Sequence, residues 1–216
     1  KDCIIENIDC NSLYEVPLLL EKENFAQTVC KKLNLSAKKP ELSDWIDYVN
    51  KSKCLTKKIT IAIVGKYIKL HDAYLSIIES LKHAGVQNSI DINIKWIDAQ
   101  ELEEPEKNQA CEKFLSDING LIVPGGFGLR GIEGKINAIK FAREKKIPFL
   151  GICLGMQCAV IEFARNVANI CDANSREFCD GCKNPVIDIM PEQKNIDSKG
   201  GTMRLGKYIC ELSKNT

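Results

Sequence analysis

A cysteine lies between two glycines in the segment 148–157, PFLGICLGMQ. The apolar residues before Gly151 are typical of a buried strand, and a helix is expected from about Leu154. Glycines on both sides of Cys153 permit the strained turn that raises a nucleophile above the edge of a sheet. A helix that begins at the cysteine also favours a negative charge on the sulfur. The pattern predicts a nucleophilic cysteine, and a buried structural cysteine is the alternative for so short a motif.

A second glycine-rich turn, in LIVPGGFG (121–128), follows another strand pattern. Its glycines let backbone N–H groups face outward, where they can bind an anion. Both turns follow parallel strands, so we expect them at the same sheet edge, with the N–H of Leu154 pointing where an oxyanion would form. A nucleotide phosphate loop is the alternative for GGFGLRG (125–131). We favour the anion-binding turn over this alternative, because short glycine motifs recur by chance.

Strand patterns recur on either side of these turns. Residues 59–64, 121–123 and 148–152 are apolar throughout, which predicts neighbouring parallel strands buried on both faces. Residues 90–96 alternate between apolar and polar, which predicts a strand covered on one side. With helices between the strands, the sequence predicts an α/β fold with a doubly wound, mainly parallel open sheet flanked by helices.

Helices are predicted between these strands from apolar residues at helical spacing. One begins at the capping residue Asp72 and is stopped by Gly85. Two more are expected over 101–115 and 136–144. A further strand is expected near 203–211.

Residues 1–57 carry no strand pattern. Apolar residues at helical spacing follow two capping candidates, Asn24 and Ser43, and predict two short helices. We therefore divide the chain into a helical linker over 1–57 and an α/β domain over 58–216.

The overall charge excludes several classes of function. Thirty Lys and Arg balance 29 Asp and Glu, which argues against a nucleic-acid groove and against a basic membrane surface. No apolar run reaches the roughly 18–20 residues of a membrane helix, and the first residues do not resemble a signal peptide. Eleven cysteines, an odd number, do not suggest a disulfide scaffold. We expect a cytoplasmic protein with mostly reduced thiols.

The two turns together, PGGFG (124–128) and GICLGMQ (151–157), resemble the class I, or triad, glutamine amidotransferase domain. More narrowly, nearly the whole chain resembles the C-terminal part of the CTP synthase family. The further stretches that carry this likeness are VGKY (64–67), DAYLSIIESLKHAG (72–85), VPGGFGLRGIEGKI (123–136), NSREF (174–178) and GGTMRLG (200–206). LYEVPLLLE (13–21) and VCKKLNL (29–35) are similar to the tail of that family's synthase domain, which would make 1–57 that tail and a linker.

The resemblance implies an activity that the residues alone do not. In the family, glutamine is hydrolysed through a cysteine thioester, and the ammonia passes to a synthase domain that aminates UTP to CTP with ATP. The implied partners are therefore glutamine and a synthase domain in the same protein, which is expected to form a homo-oligomer. ATP and Mg belong to that synthase domain, and no cofactor or metal is expected in this chain.

Site residues follow from the resemblance position by position. Cys153 matches the nucleophile, and Gly126 and Leu154 match the backbone donors to the oxyanion. Glu177 matches the carboxylate that holds the substrate's α-amino group. The stretch that lines the glutamine pocket is Leu154, Gly155, Met156 and Gln157. The stretch that forms a lid or domain contact is Arg130, Gly131 and Glu133.

The chain departs from the family at the general base. A triad cysteine needs a histidine and a carboxylate, which the family carries in an H-P-E-like motif beyond GGTMRLG (200–206). This chain has only His71, at a position that the family does not use for catalysis, and His83, which we interpret as structural. We expect a C-terminally truncated domain whose activity is impaired. The alternative is a non-catalytic binding or regulatory fragment.

Three cysteines near the C-terminal end have zinc-knuckle spacing. Cys179 and Cys182 are separated by two residues, and Cys171 lies nearby. No fourth ligand has matching spacing, which favours an unliganded loop.

Overall fold

The structure is a computed structural model that describes residues 3–36, 38–103, 107–190, 211, 213 and 214. The chain divides into two compact units, one of Lys1–Ile59 with Ser76–Ile92 and one of Thr60–Leu75 with Asn93–Thr216. None of the described helices is both long and apolar enough to cross a membrane. The strand expected near 203–211 lies outside the described residues.

The N-terminal part of the first unit is helical. A 3₁₀ turn over Leu13–Glu15 leads into α1 (Val16–Lys22), which is followed by α2 (Phe25–Lys32) and α3 (Ser43–Ser52). The two predicted helices, α2 and α3, are confirmed.

Asn24 holds the N-cap position of α2 as predicted, whereas the predicted capping by Ser43 is wrong. Asn24 precedes α2 with a φ of 56°, but its side chain makes no cap hydrogen bond. Ser43 is the first residue of α3, and Leu42 holds the N-cap position. The carboxylate of Glu41 instead accepts a hydrogen bond from the Ser43 N–H at 3.0 Å. This hydrogen bond is the main cause that lowers the pKa of Glu41.

A four-stranded sheet follows, with the order β2-β1-β3-β4. Its strands are β1 (Lys57–Gly65), β2 (Ile90–Asp98), β3 (Gly120–Val123) and β4 (Phe149–Gly151). The pairs β1–β3 and β3–β4 are parallel, and Val123 lies opposite Gly151. The prediction that the three apolar strands are parallel neighbours is confirmed.

The connecting segments form the helices α4 (Leu75–Gln87), α5 (Lys107–Leu115), α6 (Ile132–Glu144) and α7 (Leu154–Asn166). A 3₁₀ turn precedes α4 over His71–Tyr74, and another precedes α5 over Ala99–Leu102. The short strands β5 (Asn174–Ser175) and β6 (Pro185–Ile187) pair in a separate sheet.

Four helix boundaries differ from the prediction. Helix α4 begins at Leu75 and not at Asp72, because Asp72 belongs to the 3₁₀ turn over His71–Tyr74. Gly85 does not stop α4: a Cβ at this position would lie 2.6 Å from the carbonyl oxygen of Ile90, so packing requires glycine there. The segment 101–115 is not one helix, because its start belongs to the 3₁₀ turn over Ala99–Leu102. Helix α6 begins four residues earlier than predicted, after Gly131, which has a φ of 80°.

The core of the second unit lies between the sheet and the helices α6 and α7. Its fully buried apolar side chains include Ala62 and Val64 of β1, Leu121 and Val123 of β3, and Leu154 and Ile161 of α7. Two ion pairs join the helices: Arg143 to Glu162, with a shortest contact of 2.8 Å, and Arg165 to Glu133 at 2.9 Å. Glu162 is buried, and the two nitrogens that Arg143 directs at it satisfy its carboxylate.

The turn between β4 and α7 brings backbone into contact with backbone. A Cβ at Gly155 would lie 1.9 Å from the carbonyl oxygen of Val123, and a Cβ at Gly151 would lie 2.6 Å from the backbone N of Met156. Between them, Cys153 has φ 53° and ψ −106°. The glycines are required here because β3, β4 and α7 approach more closely than any side chain allows.

We expect Gly155→Ala to destabilise the fold by about 2–3 kcal/mol or more, because the added methyl group overlaps the backbone of β3. The control is Gly181→Ala, since a Cβ at Gly181 meets nothing within 4 Å. Urea unfolding of both variants checks this expectation. Equal midpoints for the two variants would show that the elbow tolerates a side chain.

Candidate functional site

Cys153 occupies the N-cap position of α7, directly after β4. The N–H of Ile152 donates to the Val123 carbonyl at 2.9 Å, and the N–H of Gln157 donates to the Cys153 carbonyl at 3.1 Å. These bonds join the elbow to β3 on one side and to the first turn of α7 on the other. The exposed thiol therefore lies at the positive end of a 13-residue helix, at the carboxyl edge of the sheet.

The glycine turn after β3 lies against this cysteine. A Cβ at Gly125 would be 3.5 Å from the Cβ of Cys153, and a Cβ at Gly126 would be 3.6 Å from Cδ2 of Leu154. The two turns that the sequence singled out therefore meet at one edge of the sheet. The role of the Gly126 and Leu154 amides as donors to an oxyanion stays a prediction.

Lys66, the residue that follows β1, holds the glycine turn in place. Its side chain is largely buried, and its ammonium donates a hydrogen bond to the Phe127 carbonyl. Its own carbonyl accepts a hydrogen bond from Arg130 at 2.8 Å. Burial lowers the pKa of Lys66, the Arg130 guanidinium lowers it further, and Glu177 acts in the opposite direction.

The VGKY stretch (64–67) contributes to the family resemblance, but the sequence predicted no role for Lys66. The available signal was a lysine placed directly after a buried strand, at the edge where the chemistry was expected.

The three residues assigned to a lid or domain contact have defined places. Arg130 binds the Lys66 carbonyl and lies 5.9 Å from the centre of the Tyr67 ring. Gly131 precedes α6, and Glu133 pairs with Arg165 of α7. Arg130 and Glu133 thus bind residues of the second unit, and a lid or domain-contact role for the three residues stays a prediction.

Glu177 lies on the segment that follows β5, half-buried, with its backbone N–H donating to Ser175 Oγ at 3.2 Å. Its charge acts to raise the pKa of both Lys66 and Cys158. Burial is the main cause that raises the pKa of the Cys158 thiol to about 11. The contact of Glu177 with substrate stays a prediction.

The first turn of α7 has one buried and one open side. Leu154 and Gly155 are buried, Gln157 is half-buried, and Met156 is 52 % exposed. Met156 and Cys153 are therefore the residues of this turn that a ligand could reach most directly.

Both histidines are engaged in aromatic contacts. His71 stacks on Trp96 with ring centroids 4.4 Å apart. His83 Nε2 lies 2.5 Å from the Tyr14 hydroxyl, which also donates to Glu79 at 2.6 Å. This network supports the structural interpretation of His83.

The described part of the chain contains no cluster of three or more His, Cys, Asp or Glu side chains that could hold a metal ion. Cys179 and Cys182 are joined instead by a backbone turn, in which the Cys182 N–H donates to the Cys179 carbonyl at 3.2 Å.

Comparison with known proteins places this geometry in context. Residues 69–216 match the family described as "Glutamine amidotransferase class-I". The CTP synthase of Ruminiclostridium cellulolyticum is 55% identical over 216 residues, covering 100% of this chain and 40% of that protein. That of Methanocaldococcus jannaschii is 54% identical over 218 residues, again covering 100% of this chain and 40% of the relative. The chain thus spans about 40% of the length of these curated relatives.

A solved structure resembles the fold. The glutaminase domain of Trypanosoma brucei CTPS, with bound acivicin, matches with a TM-score of 0.59 and 40% sequence identity. The match covers 63% of this chain and 52% of that chain.

We expect Lys66→Met to raise hydrogen exchange of the backbone amides over 125–131 by about fivefold or more, because the turn loses the ammonium that binds the Phe127 carbonyl. Lys58→Met is the matched control at the other end of β1, since Lys58 is exposed and its contact with Asp91 is 3.5 Å long. Mass spectrometry of both variants makes the comparison. Unchanged exchange in Lys66→Met would mean that other contacts hold the turn.

Proposed function

The chain belongs to the class-I glutamine amidotransferase family, and on this basis we propose that it is the glutaminase part of a CTP synthase. The observation that carries the proposal is the exposed Cys153 at the start of α7, with the Gly125–Gly126 turn packed against it. In this proposal the chain hydrolyses glutamine and supplies ammonia for the ATP-dependent amination of UTP to CTP.

The proposed chemistry proceeds through a thioester. The Cys153 thiolate attacks the side-chain amide carbon of glutamine, and the carbonyl electron pair moves onto oxygen. The N–H groups of Gly126 and Leu154 then donate to this oxyanion. When the intermediate collapses, the C–N bond breaks, and the leaving nitrogen takes a proton and departs as ammonia. Water hydrolyses the thioester to glutamate and restores the thiol.

Glutamine binding is proposed around the first turn of α7 and Glu177. The substrate side chain would lie against Gly155, Met156 and Gln157, and Glu177 would pair with the α-ammonium group. The electrostatic effect of Glu177 on Lys66 supports this placement, because the Lys66 side chain lies beside Gly126 of the glycine turn.

The general base is proposed to come from the H-P-E-like motif that the family carries beyond the GGTMRLG stretch. His71 is stacked on Trp96, and His83 is bound to Tyr14, so neither is assigned this role.

We propose that the remaining length of the protein carries the synthase domain. The curated relatives are more than twice as long as the part that this chain matches. In the proposal that domain binds UTP, ATP and Mg, and the protein forms homo-oligomers.

We expect a chloro-ketone or diazo-ketone analogue of glutamine to alkylate Cys153 of the full-length protein at least about tenfold faster than the other ten cysteines of this chain. The amides at the start of α7 stabilise negative charge on the sulfur, and the pocket concentrates the reagent there. Peptide mapping measures the labelling, with and without competing glutamine. Uniform labelling, or none at Cys153, would contradict the proposed site.

We expect residues 1–216 alone to release ammonia from glutamine at least ~10²-fold more slowly than the full-length protein, because they lack the proposed general base. Cys153→Ala gives the background rate for both proteins. Equal rates would make His71 or another group of this chain the base. If the full-length protein released no ammonia either, the non-catalytic binding or regulatory alternative would replace the proposed reaction.

A further inference from the structure

Lys135 is fully buried inside the second unit. It lies on α6 beside the core residues Ile136 and Ile139, and its side chain is the largest of the fully buried ones. Its Nζ has no hydrogen-bond partner among the described residues. A buried ammonium without an acceptor is costly, so its retention calls for a physical reason.

The amine of Lys135 points at the glycine turn of the proposed site. A Cβ at Gly126 would lie 3.8 Å from Lys135 Nζ, 3.4 Å from Cε of Lys66 and 3.6 Å from Cδ2 of Leu154. The neighbouring Gly125 lies against Cys153. The buried amine and Cys153 therefore lie beside neighbouring residues of the same turn.

Two groups act on the charge of Lys135. Burial lowers its pKa, the nearby Lys66 lowers it further, and Cys158 acts in the opposite direction. The closest acid on the same helix, Glu133, is paired with Arg165. The ammonium thus has no carboxylate counter-charge among the groups that act on it.

We propose that Lys135 is a positioning residue that acts through Gly126: its ammonium holds the turn at positive potential and stabilises the oxyanion of the bound intermediate. This inference rests on the proposed glutaminase function. The oxyanion supplies the missing negative charge only while the intermediate exists. The ammonium therefore stabilises the intermediate more than it stabilises bound glutamine. In general, a unit charge about 10 Å away in an effective dielectric of ~20 changes an equilibrium by on the order of tenfold.

The test is Lys135→Met in the full-length protein, a change that keeps the length of the side chain and removes its charge. We expect kcat for ammonia release to fall about tenfold with KM unchanged. We expect Tm to rise, because an unpartnered charge leaves the core. The control is Lys140→Met on the same helix, where the side chain is 40% exposed and both quantities should stay unchanged.

A purely structural lysine predicts a different result. Loss of its packing would lower Tm, and an unchanged kcat, or a kcat that falls only together with Tm, would overturn the proposal. If Lys135→Met does not fold, Lys135→Leu provides the same comparison without the charge.

A second measurement separates this inference from the proposed function. Alkylation of Cys153 by iodoacetamide at neutral pH also places negative charge beside the turn, and it needs no glutamine. We expect it to slow severalfold in Lys135→Met and not in Lys140→Met. The wild-type protein could release no ammonia while alkylation of Cys153 is still slower in Lys135→Met than in Lys140→Met. That result would contradict the proposed reaction and support the electrostatic role of Lys135. If alkylation also stayed unchanged, the role of Lys135 would fail as well.

Discussion

Direct contact between backbone segments at the elbow is the constraint on which the rest of the site depends. Gly155 lies so close to the Val123 carbonyl that no side chain fits between α7 and β3. This contact fixes the height of the first turn of α7 relative to the sheet, and hence the position of Cys153. Because the glycine turn leaves β3 just after Val123, the same contact also sets its distance from the sulfur. The absence of a Cβ at Gly155 therefore determines the positions of both the Cys153 elbow and the glycine turn after β3.

The positive charges around this edge have different supports. Lys66 binds a carbonyl of the turn and is in turn held through its own carbonyl by Arg130. Lys135 approaches the same turn from the core side and has no hydrogen-bond partner among the residues described. The two lysines thus meet the same turn in different ways, one through a hydrogen bond and one through proximity alone. Both lie in surroundings of low dielectric, where a charge acts over a longer distance than it does in water.

The sequence predicted the architecture because its strands are short apolar runs and its turns carry glycine. Such patterns report burial and backbone freedom, which are local properties, so the parallel strands and the elbow could be located. The ends of helices were predicted less accurately than the strands. Gly85 was predicted to end α4, but in the structure a glycine is needed there because the helix packs closely against Ile90. The roles of Lys66 and Lys135 could not be predicted, because a lysine in a periodic pattern gives no sign of which carbonyl or turn it will face. Glu177 was singled out only through the family resemblance.

The conformation of Cys153 has a practical consequence for trapping a bound ligand in a crystal. Its φ of 53° is one that residues with a Cβ adopt only under constraint from their surroundings. Alanine and serine share that constraint, so either replacement removes the thiol while preserving the shape of the elbow. Glycine would remove this constraint and allow the elbow to adopt other conformations. A complex intended to represent the native binding mode is therefore better prepared with alanine or serine at this position than with glycine.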